Sequence, residues 1–463
     1  MDTFDGFHSE WNLGSPGGWD YQRVTQEIAK VTWQTLNKMK PTGVDLDFDH
    51  YLLYPVVGFA RMLVEVHRQR NAGNPGLIAV VAEEETLEDV TENINLAKRL
   101  NDVDGITGVL AAPHAFEQRN GRVTYEGQPV SLIFMDFNND VLLKLHRKHD
   151  LSPIMQAIRE NRILNPRGTE PFNVKSMFEV FTGPLSDRFS KETVSRTPWT
   201  RRFFERSTEG PGGEAISNLV EWTRENWPNL VLKPERGYSG MGVKVGGVNP
   251  DADAAIQTAL DKGNYIVQAK VPLPLWGEVL PELDRKKNEV VLNQVQTDFR
   301  CMVGPDVVFG FLGRYGDVPT NVGSGGGVHP AAVLRSGMPP GEAVNRINRT
   351  IMDLTCAQVE ELAIQQEALA MEAKFTYLLG PIKIALRPRV ITLGQMDALE
   401  VYCHAMWNDC LKLEQMWHAG ELAAFIDIEE EELAIARMQP WKGGPAIFAA
   451  DGLFSFGAHL EGA

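Results

Sequence analysis

The segment at residues 230–245 constrains the fold more than any other part of the chain. It carries Lys233 on a short apolar stretch, then glycines at positions 237, 240 and 242, then a second apolar stretch. This order predicts a strand, a glycine loop and a returning strand. Glycines let a backbone approach a ligand and turn its N–H groups toward anionic oxygens, and a strand lysine adds a point charge for phosphate. The pattern favours a flap over a nucleoside triphosphate, and the alternative is a glycine-rich hairpin without a ligand.

Two better-known phosphate-binding motifs are missing from the sequence. The pattern GxxxxGK followed by Ser or Thr does not occur, and no GxGxxG stands between a predicted strand and a helix. A phosphate site in this chain is therefore neither a Walker A loop nor a dinucleotide fingerprint.

Composition and charge limit the class of protein to which the chain can belong. The 463 residues carry a formal net charge of −16, whereas a protein that binds nucleic acid is normally basic, so we expect no nucleic-acid partner. No run of about 18 apolar residues occurs, and the first residues lack an apolar signal region, so we expect neither a membrane span nor secretion. The four cysteines have no CxxC spacing, which is typical of reduced thiols and predicts a cytoplasmic protein. The oligomeric state stays open, and a homo-oligomer is allowed.

Alternating strand and helix patterns predict a small open α/β domain in the first half of the chain. An apolar strand is expected at 77–82 and a helix at about 86–100, followed by further strands. Later segments predict an antiparallel sheet, a long helix at 341–376 and a strand or hairpin at 446–457. We therefore expect an α+β protein. The regions that these patterns separate are 1–20, 21–165, 166–272 and 273–463.

Polar side chains also alternate along a predicted strand in the second half of the chain. Asp298 and Arg300 are two residues apart, so both point to one face of that strand. Arg314 ends the next strand, and Asn321 opens the glycine-rich loop that follows. Two arginines, an asparagine and backbone N–H groups suit a transferring phosphoryl group and a carboxylate. The alternative is an ordinary Asp–Arg pair beside a flexible loop.

The N-terminal segment carries hard oxygen ligands. Glu10 and Asn12 would share one face of a strand with Trp11 opposite, and a carboxylate with a carboxamide suits Mg²⁺. The alternative is an exposed polar edge strand. A further apolar strand runs through residues 265–271 toward two prolines, and its backbone could contact the edge of an adenine.

Together these segments resemble the ATP-grasp superfamily, in which ATP lies between two α+β subdomains and a carboxylate is usually ligated to an amine. The resemblance implies that Lys175 and Lys233 contact the phosphates of ATP. It also implies that residues 237–242 form a flexible loop and that residues 268–270 contact adenine. It implies the catalytic residues Arg300, Arg314 and Lys233. It implies the nucleotide-binding residues Lys175, Lys233, Gly237, Tyr238, Ser239, Gly240, Met241, Gly242, Gln268, Ala269, Lys270, Asp298 and Asn321.

The order of the motifs resembles that of the circularly permuted ATP-grasp ligases related to glutathionylspermidine synthase. The usual order ends with an acidic residue and then ExN, whereas here ExN stands at residues 10–12, ahead of the other motifs. The resemblance implies Mg²⁺ ligation by Glu10, Asn12 and an aspartate, for which Asp2 is the first choice and Asp5 and Asp451 are the alternatives. Asp451 would be the third Mg²⁺ ligand if the segment 446–457 lay beside the N-terminal strand.

The resemblance implies an ATP- and Mg²⁺-dependent ligase that joins a small carboxylate to an amine through an acyl phosphate, releasing ADP and phosphate. The substrates would be amino acids, peptides or polyamine-like amines, which the sequence does not name. Three alternatives stay open: a small-molecule kinase, a nucleotide-binding scaffold without turnover, and an α/β protein whose glycines only form turns. Residues 336–463 carry no assigned role, and the acidic run 429–432 is interpreted as a solvated helix face.

Overall fold

Helices and strands are mixed along the chain, which confirms the expected α+β class. The computed structural model describes residues 5–71, 76–164, 167–237, 240–271, 277–304, 307–316, 320, 322, 325–377, 380–426, 428–439 and 448–455. The helices are α1 (Trp19–Met39), α2 (Pro55–Asn71), α3 (Thr91–Asn101), α4 (Asn139–His146), α5 (Ser152–Arg159), α6 (Met177–Thr182), α7 (Lys191–Ser195), α8 (Leu219–Glu225), α9 (Ala252–Lys262), α10 (Pro340–Met352), α11 (Cys356–Glu372), α12 (Leu393–His418) and α13 (Glu430–Met438). The strands are β1 (Asp5–Asn12), β2 (Leu46–Asp47), β3 (Leu77–Val81), β4 (Gly108–Ala111), β5 (Phe116–Arg119), β6 (Arg122–Tyr125), β7 (Gln128–Met135), β8 (Ile163–Leu164), β9 (Thr200–Arg202), β10 (Thr208–Glu209), β11 (Ala215–Ile216), β12 (Leu230–Pro234), β13 (Lys244–Val245), β14 (Tyr265–Ala269), β15 (Gly277–Asp284), β16 (Glu289–Gly304), β17 (Val307–Gly316), β18 (Gly327–Val328), β19 (Ala331–Leu334), β20 (Thr376–Tyr377), β21 (Gly380–Pro381), β22 (Arg389–Ile391) and β23 (Phe448–Ser455).

The first sheet has a parallel centre. Strands β4, β3, β7 and β8 run parallel, and β6 and β5 add an antiparallel edge to β7. Strand β3 is buried along its whole length, as expected for an apolar run covered by helices on both faces. The strand predicted at 77–82 is confirmed to within one residue. The helix predicted from about residue 86 was placed too early, because a short 3₁₀ turn at Glu84–Thr86 precedes α3.

The second sheet contains the glycine hairpin. Strands β12 and β13 pair antiparallel around the loop, which confirms the predicted strand, loop and strand, and the sheet order is β13-β12-β14-β9. Leu232 and Val267 pack against Leu219 of α8 and Ile256 of α9. One face of this sheet is therefore covered by two helices, and the side chains that alternate with Leu232 and Val267 point to the other face.

The third sheet is antiparallel and joins both ends of the chain. Its order is β1-β23-β16-β17-β18, and β15 pairs with the first half of β16. The segment predicted as a strand or hairpin at 446–457 contains the single strand β23, which pairs with β1, as the sequence allowed. One face of the sheet packs on α6 and α12 around Trp11, Phe299 and Phe178. Met302 and Phe309 contribute to a core formed with α1 and α2.

The prediction of one long helix at 341–376 is wrong, because the structure has two helices, α10 and α11, in this region. Thr355 accepts a hydrogen bond from the Gln358 N–H, and the Gln358 side chain bonds back to Thr355, so a capping box starts α11. The periodicity of apolar residues continues across the break and hides it. Over the described ranges, no helix combines the length and apolar character that crossing a membrane requires.

Candidate functional site

A cleft of about 230 Å³ lies where the N-terminal strand, the turn after β7 and the glycine hairpin meet. Its walls come from segments that are far apart in sequence. The lining residues are Glu10, Trp11, Asn12, Asn138, Asp140, Glu170, Asn173, Val174, Lys175, Arg236 and Gly237. Four of them are predicted site residues, namely Glu10, Asn12, Lys175 and Gly237. The structure therefore brings part of the predicted metal set and part of the predicted nucleotide set into one cleft.

Lys175 connects these two sets. Its ammonium Nζ lies 3.6 Å from Glu10 Oε2 and donates a hydrogen bond of 3.3 Å to the carbonyl of Gly237. The backbone N–H of Lys175 donates to the carbonyl of Glu235 at 3.0 Å. Because α6 begins two residues later and buries Phe178, the start of that helix fixes the position of Lys175. The lysine is held between the end of β12 and the N-terminal strand.

A β-bulge in β1 directs Glu10 and Asn12 to the cleft. The pairing with β23 shifts between His8 and Glu10, so one extra residue is inserted into β1. His8 and Trp11, three positions apart, therefore both point into the core, where they are 0% and 5% exposed. Burial lowers the pKa of His8 to about 3, so this ring is neutral beneath the sheet. The predicted arrangement, with Trp11 opposite Glu10 and Asn12, is present.

The register of the third sheet aligns acidic and basic positions. Glu10 of β1 lies opposite Asp451 of β23, and Asp451 lies opposite Arg300 of β16. Directly opposed residues in antiparallel strands share a face, and neighbouring strands are about 4.8 Å apart, so the Cα atoms of Glu10 and Arg300 are about 10 Å apart. The register therefore places Asp451 between Glu10 and Arg300.

Asp298 positions Arg314 on the same sheet. The carboxylate accepts two hydrogen bonds from the Arg314 guanidinium, from Nε at 2.8 Å and from Nη2 at 3.0 Å, and a third from the Thr320 hydroxyl. Asp298 is 5% exposed, so this is a buried, bidentate pair and not a surface contact. Arg300 donates to the carbonyl of Gly17 at 3.2 Å. Both arginines share the face of β16 and β17 opposite Phe299, as predicted, but they are outside the lining of the cleft.

The other residues that were predicted to bind the nucleotide lie on the second sheet and its hairpin. Lys233 and Gln268 point to the face opposite α8 and α9, and Gln268 donates to the Thr200 hydroxyl at 2.9 Å. The N–H groups of Ala269 and Lys270 donate to carbonyls of neighbouring strands and loops at 2.8 Å, so an adenine would have to use other groups of this segment.

In the hairpin itself, Met241 is 71% exposed, and Gly240 and Gly242 have φ angles of 71° and 78°. Both glycines therefore adopt the left-handed conformation that side chains disfavour. Tyr238, Ser239, Asn321 and Asp2 lie outside the described residues, as do the side chains of Asp5 and Asp451.

The donor set at the head of the cleft fits Mg²⁺. Across the described part of the chain, no three His, Cys, Asp or Glu side chains come together as a metal group. Mg²⁺ needs no such group, because it commonly binds one or two carboxylates, several waters and phosphate oxygens. Glu10 and Asn12 both line the cleft, and the register position of Asp451 is next to Glu10. These residues could hold a cation bound to a nucleotide.

Several residues of the cleft were missed by the sequence analysis. Asn138 follows β7, and the carboxyl ends of parallel strands are where ligands commonly bind, so this position carried a usable signal. Arg236 lies inside the glycine segment, next to Gly237. Its Nη1 donates to Glu432 Oε2 at 2.5 Å. The prediction that residues 429–432 form a solvated helix face is therefore wrong for Glu432, which is 4% exposed.

Glu170 is the most enclosed acid of the cleft. It is 2% exposed, and its Oε1 accepts no hydrogen bond from the described residues. Arg167 Nη1 lies 3.5 Å from this oxygen but donates instead to the carbonyl of Phe137 at 2.7 Å, while Nη2 donates to the carbonyl of Gly14 at 3.0 Å. Burial raises the pKa of Glu170, against the lowering effect of the Arg167 and Arg236 guanidinium groups.

Comparison with models of known protein families and with curated proteins gives no match. Neither comparison therefore assigns the chain to a family.

Proposed function

We propose that the protein is an ATP- and Mg²⁺-dependent ligase that joins a small carboxylate to an amine, with an ATP-grasp fold in circularly permuted order. The observation that carries the proposal is the cleft in which Glu10 and Asn12 of β1 meet Lys175 and Gly237. A hairpin without a ligand does not require any of these residues to converge. Their convergence supports a site for a magnesium-bound polyphosphate.

Two further features support a phosphoryl-transfer site. Arg300 and Arg314 share one face of the third sheet, and Asp298 fixes Arg314 through two hydrogen bonds. Phosphoryl transfer depends mainly on positioning and on charge stabilisation, which preorganised arginines and lysines supply. The second sheet, with Lys233 on the face opposite α8 and α9 and the glycine hairpin at its edge, would form the other wall of the nucleotide site.

The proposed chemistry assigns one task to each group. Mg²⁺, held by Glu10, Asn12 and an aspartate, would neutralise charge on the phosphate oxygens. Lys175 and Lys233 would bind the phosphates, and Arg300 and Arg314 would stabilise the transferring group. The glycine hairpin would exclude water, which would otherwise hydrolyse an acyl phosphate. We also propose a cytoplasmic location and small-molecule partners, in keeping with the acidic charge and the cysteine spacing.

The first test measures binding of Mg·ATP by titration calorimetry to the wild type, Asn12→Ala and Lys175→Ala. We expect each variant to lose about tenfold or more in affinity, because each removes a charged or metal-directed contact to the phosphates. Exposed residues of the same types provide matched controls, and Lys262→Ala on α9 and Asn345→Ala on α10 should bind as the wild type does. Equal binding by all five proteins, or no binding by the wild type, would refute the nucleotide site.

The second test identifies the reaction. The wild type is incubated with Mg·ATP, pooled amino acids and small peptides, and primary amines, and the mixture is analysed for phosphate and for new masses. A product equal to a carboxylate plus an amine less water supports the ligase. A product that carries a phosphoryl group favours the kinase alternative. Mg·ATP binding without any turnover of these pools favours the scaffold.

A further inference from the structure

The end of the cleft beside Glu170 has different side chains from the end that contains Lys175. Glu170 Oε1 and Asn138 Oδ1 both lie close to Gly14, where a Cβ would be 2.3 Å from the first and 2.2 Å from the second. Asp140, two residues after Asn138, also lines the cleft. Two carboxylates and a carboxamide oxygen are hydrogen-bond acceptors. This end of the cleft therefore offers acceptors where the other end offers a lysine and a metal-directed pair.

We propose that Glu170, Asn138 and Asp140 bind the ammonium group of a primary amine, and that Glu170 takes the proton that the amine must lose before it attacks. This inference rests on the proposed ligase function and names the site of its second substrate. A primary ammonium carries three N–H donors, which match three acceptors. The Glu170 oxygen Oε1 is buried and accepts no hydrogen bond from the described residues, so it is an acceptor ready for a ligand.

The charges that face Glu170 from the neighbouring elements leave this acceptor available. Arg167, on the same turn, uses both terminal nitrogens on the carbonyls of Phe137 and Gly14. Arg236, from the glycine hairpin, is paired with Glu432 of α13. Asp140, from α4, adds a second negative charge on the side of the cleft. Arg167 Nη1 stays 3.5 Å from Glu170 Oε1, and Lys144 of α4 donates to Asp140 Oδ2 at 3.1 Å, so an ammonium group would share these two carboxylates with the cations already beside them.

The proposed step balances in atoms and charge. The ammonium gives one proton to the Glu170 carboxylate and becomes a neutral amine. The amine nitrogen forms a bond to the acyl carbon, and the bond from that carbon to the phosphate oxygen breaks. The second nitrogen proton leaves with the phosphate. Burial raises the pKa of Glu170, which makes its carboxylate a better proton acceptor near neutral pH.

The binding test uses methylammonium, putrescine and spermidine as probes, titrated into wild type, Glu170→Gln and Asp140→Asn. We expect at least one probe to bind the wild type. Its affinity should fall about tenfold or more in Glu170→Gln, which loses a charge-assisted hydrogen bond, and about threefold in Asp140→Asn, whose half-buried side chain tolerates the change. Glu361→Gln, on an exposed position of α11, is the matched control. No binding of any probe, or equal binding by the two site variants and the wild type, overturns the site.

The proton-transfer role of Glu170 is tested by measuring phosphate release with two different nucleophiles. With Mg·ATP and the amino-acid pool, putrescine-dependent phosphate release should fall about 100-fold in Glu170→Gln. Release that depends on hydroxylamine, which is largely uncharged at neutral pH, should change much less. Equal losses with both nucleophiles overturn the base role. A wild type without turnover refutes the ligase proposal, whereas loss of probe binding in Glu170→Gln still supports the ammonium site, so the two failures are distinguishable.

Discussion

Replacing Arg167 by Met is expected to separate the N-terminal segment from the first sheet. The guanidinium is 0% exposed, donates to the carbonyls of Gly14 and Phe137, and lies 3.5 Å from Glu170 Oε1. The methionine would leave two buried carbonyls without their donor and a buried carboxylate without its nearest cation. Such losses cost about 3–5 kcal/mol of folding free energy in total. Because Gly14 follows β1 closely, Glu10 and Asn12 should also lose their fixed position.

Urea denaturation followed by circular dichroism measures this loss, and Arg159→Met on an exposed position of α5 is the matched control. The control should change stability by less than about 0.5 kcal/mol. The double variant Arg167→Met with Glu170→Gln should recover about 1–2 kcal/mol, because it no longer buries an uncompensated carboxylate. A single variant within about 1 kcal/mol of the wild type, or a double variant with no recovery, would refute the role given to Arg167.

Two further predictions concern the segments beside the cleft. Asp298→Asn should lower stability by about 2 kcal/mol and weaken Mg·ATP binding, since Arg314 loses its bidentate carboxylate; denaturation and calorimetry check this, and unchanged nucleotide binding would count against a role for Arg314. Burial raises the pKa of Glu92 to about 8, although the N–H groups of Gly18 and Asp20 donate to its carboxylate. The folded state therefore binds a proton that the unfolded state releases from about pH 4.5 upward, so this contribution to stability is lost as the pH rises to about 8. Glu92→Gln should reduce that downward slope in urea midpoints measured across this range, and an unchanged slope would show that Glu92 does not cause it.

Sequence patterns predicted the strands and the hairpin of the candidate site more accurately than they predicted the helices. The glycine hairpin and the strand with Asp298 and Arg300 were predicted, because each has a short-range pattern, whereas the pairing of β23 with β1 was only a hypothesis that followed from the resemblance. Helix boundaries were less accurate. The break between α10 and α11 depends on a single capping box at Thr355, which the apolar periodicity on both sides obscures.

The residues that were missed depend on tertiary contacts. Four glutamates at 429–432 are equivalent in sequence, yet only Glu432 is buried, because the orientation of α13 brings it to Arg236. Glu170 lies on the 3₁₀ turn Arg167–Phe172, where no periodicity marks a functional side chain. The bulge between His8 and Glu10 also has no signal in the residues themselves. Its effect is to point His8 and Trp11 inward together, and it is visible only once the core around Phe178 is known.

The third sheet explains how an unusual motif order can still form one site. Asp5 at the start of β1 lies opposite Ser455 at the end of β23, and the two strands are antiparallel. A hairpin connection at that point would join β23 to β1 without moving either strand. The chain would then present the α/β domain, the glycine hairpin, the strand with Asp298 and Arg300, an acidic residue and ExN in that order. This is the usual order of the ATP-grasp motifs, so the pairing of β23 with β1 is the arrangement that the proposed permutation requires.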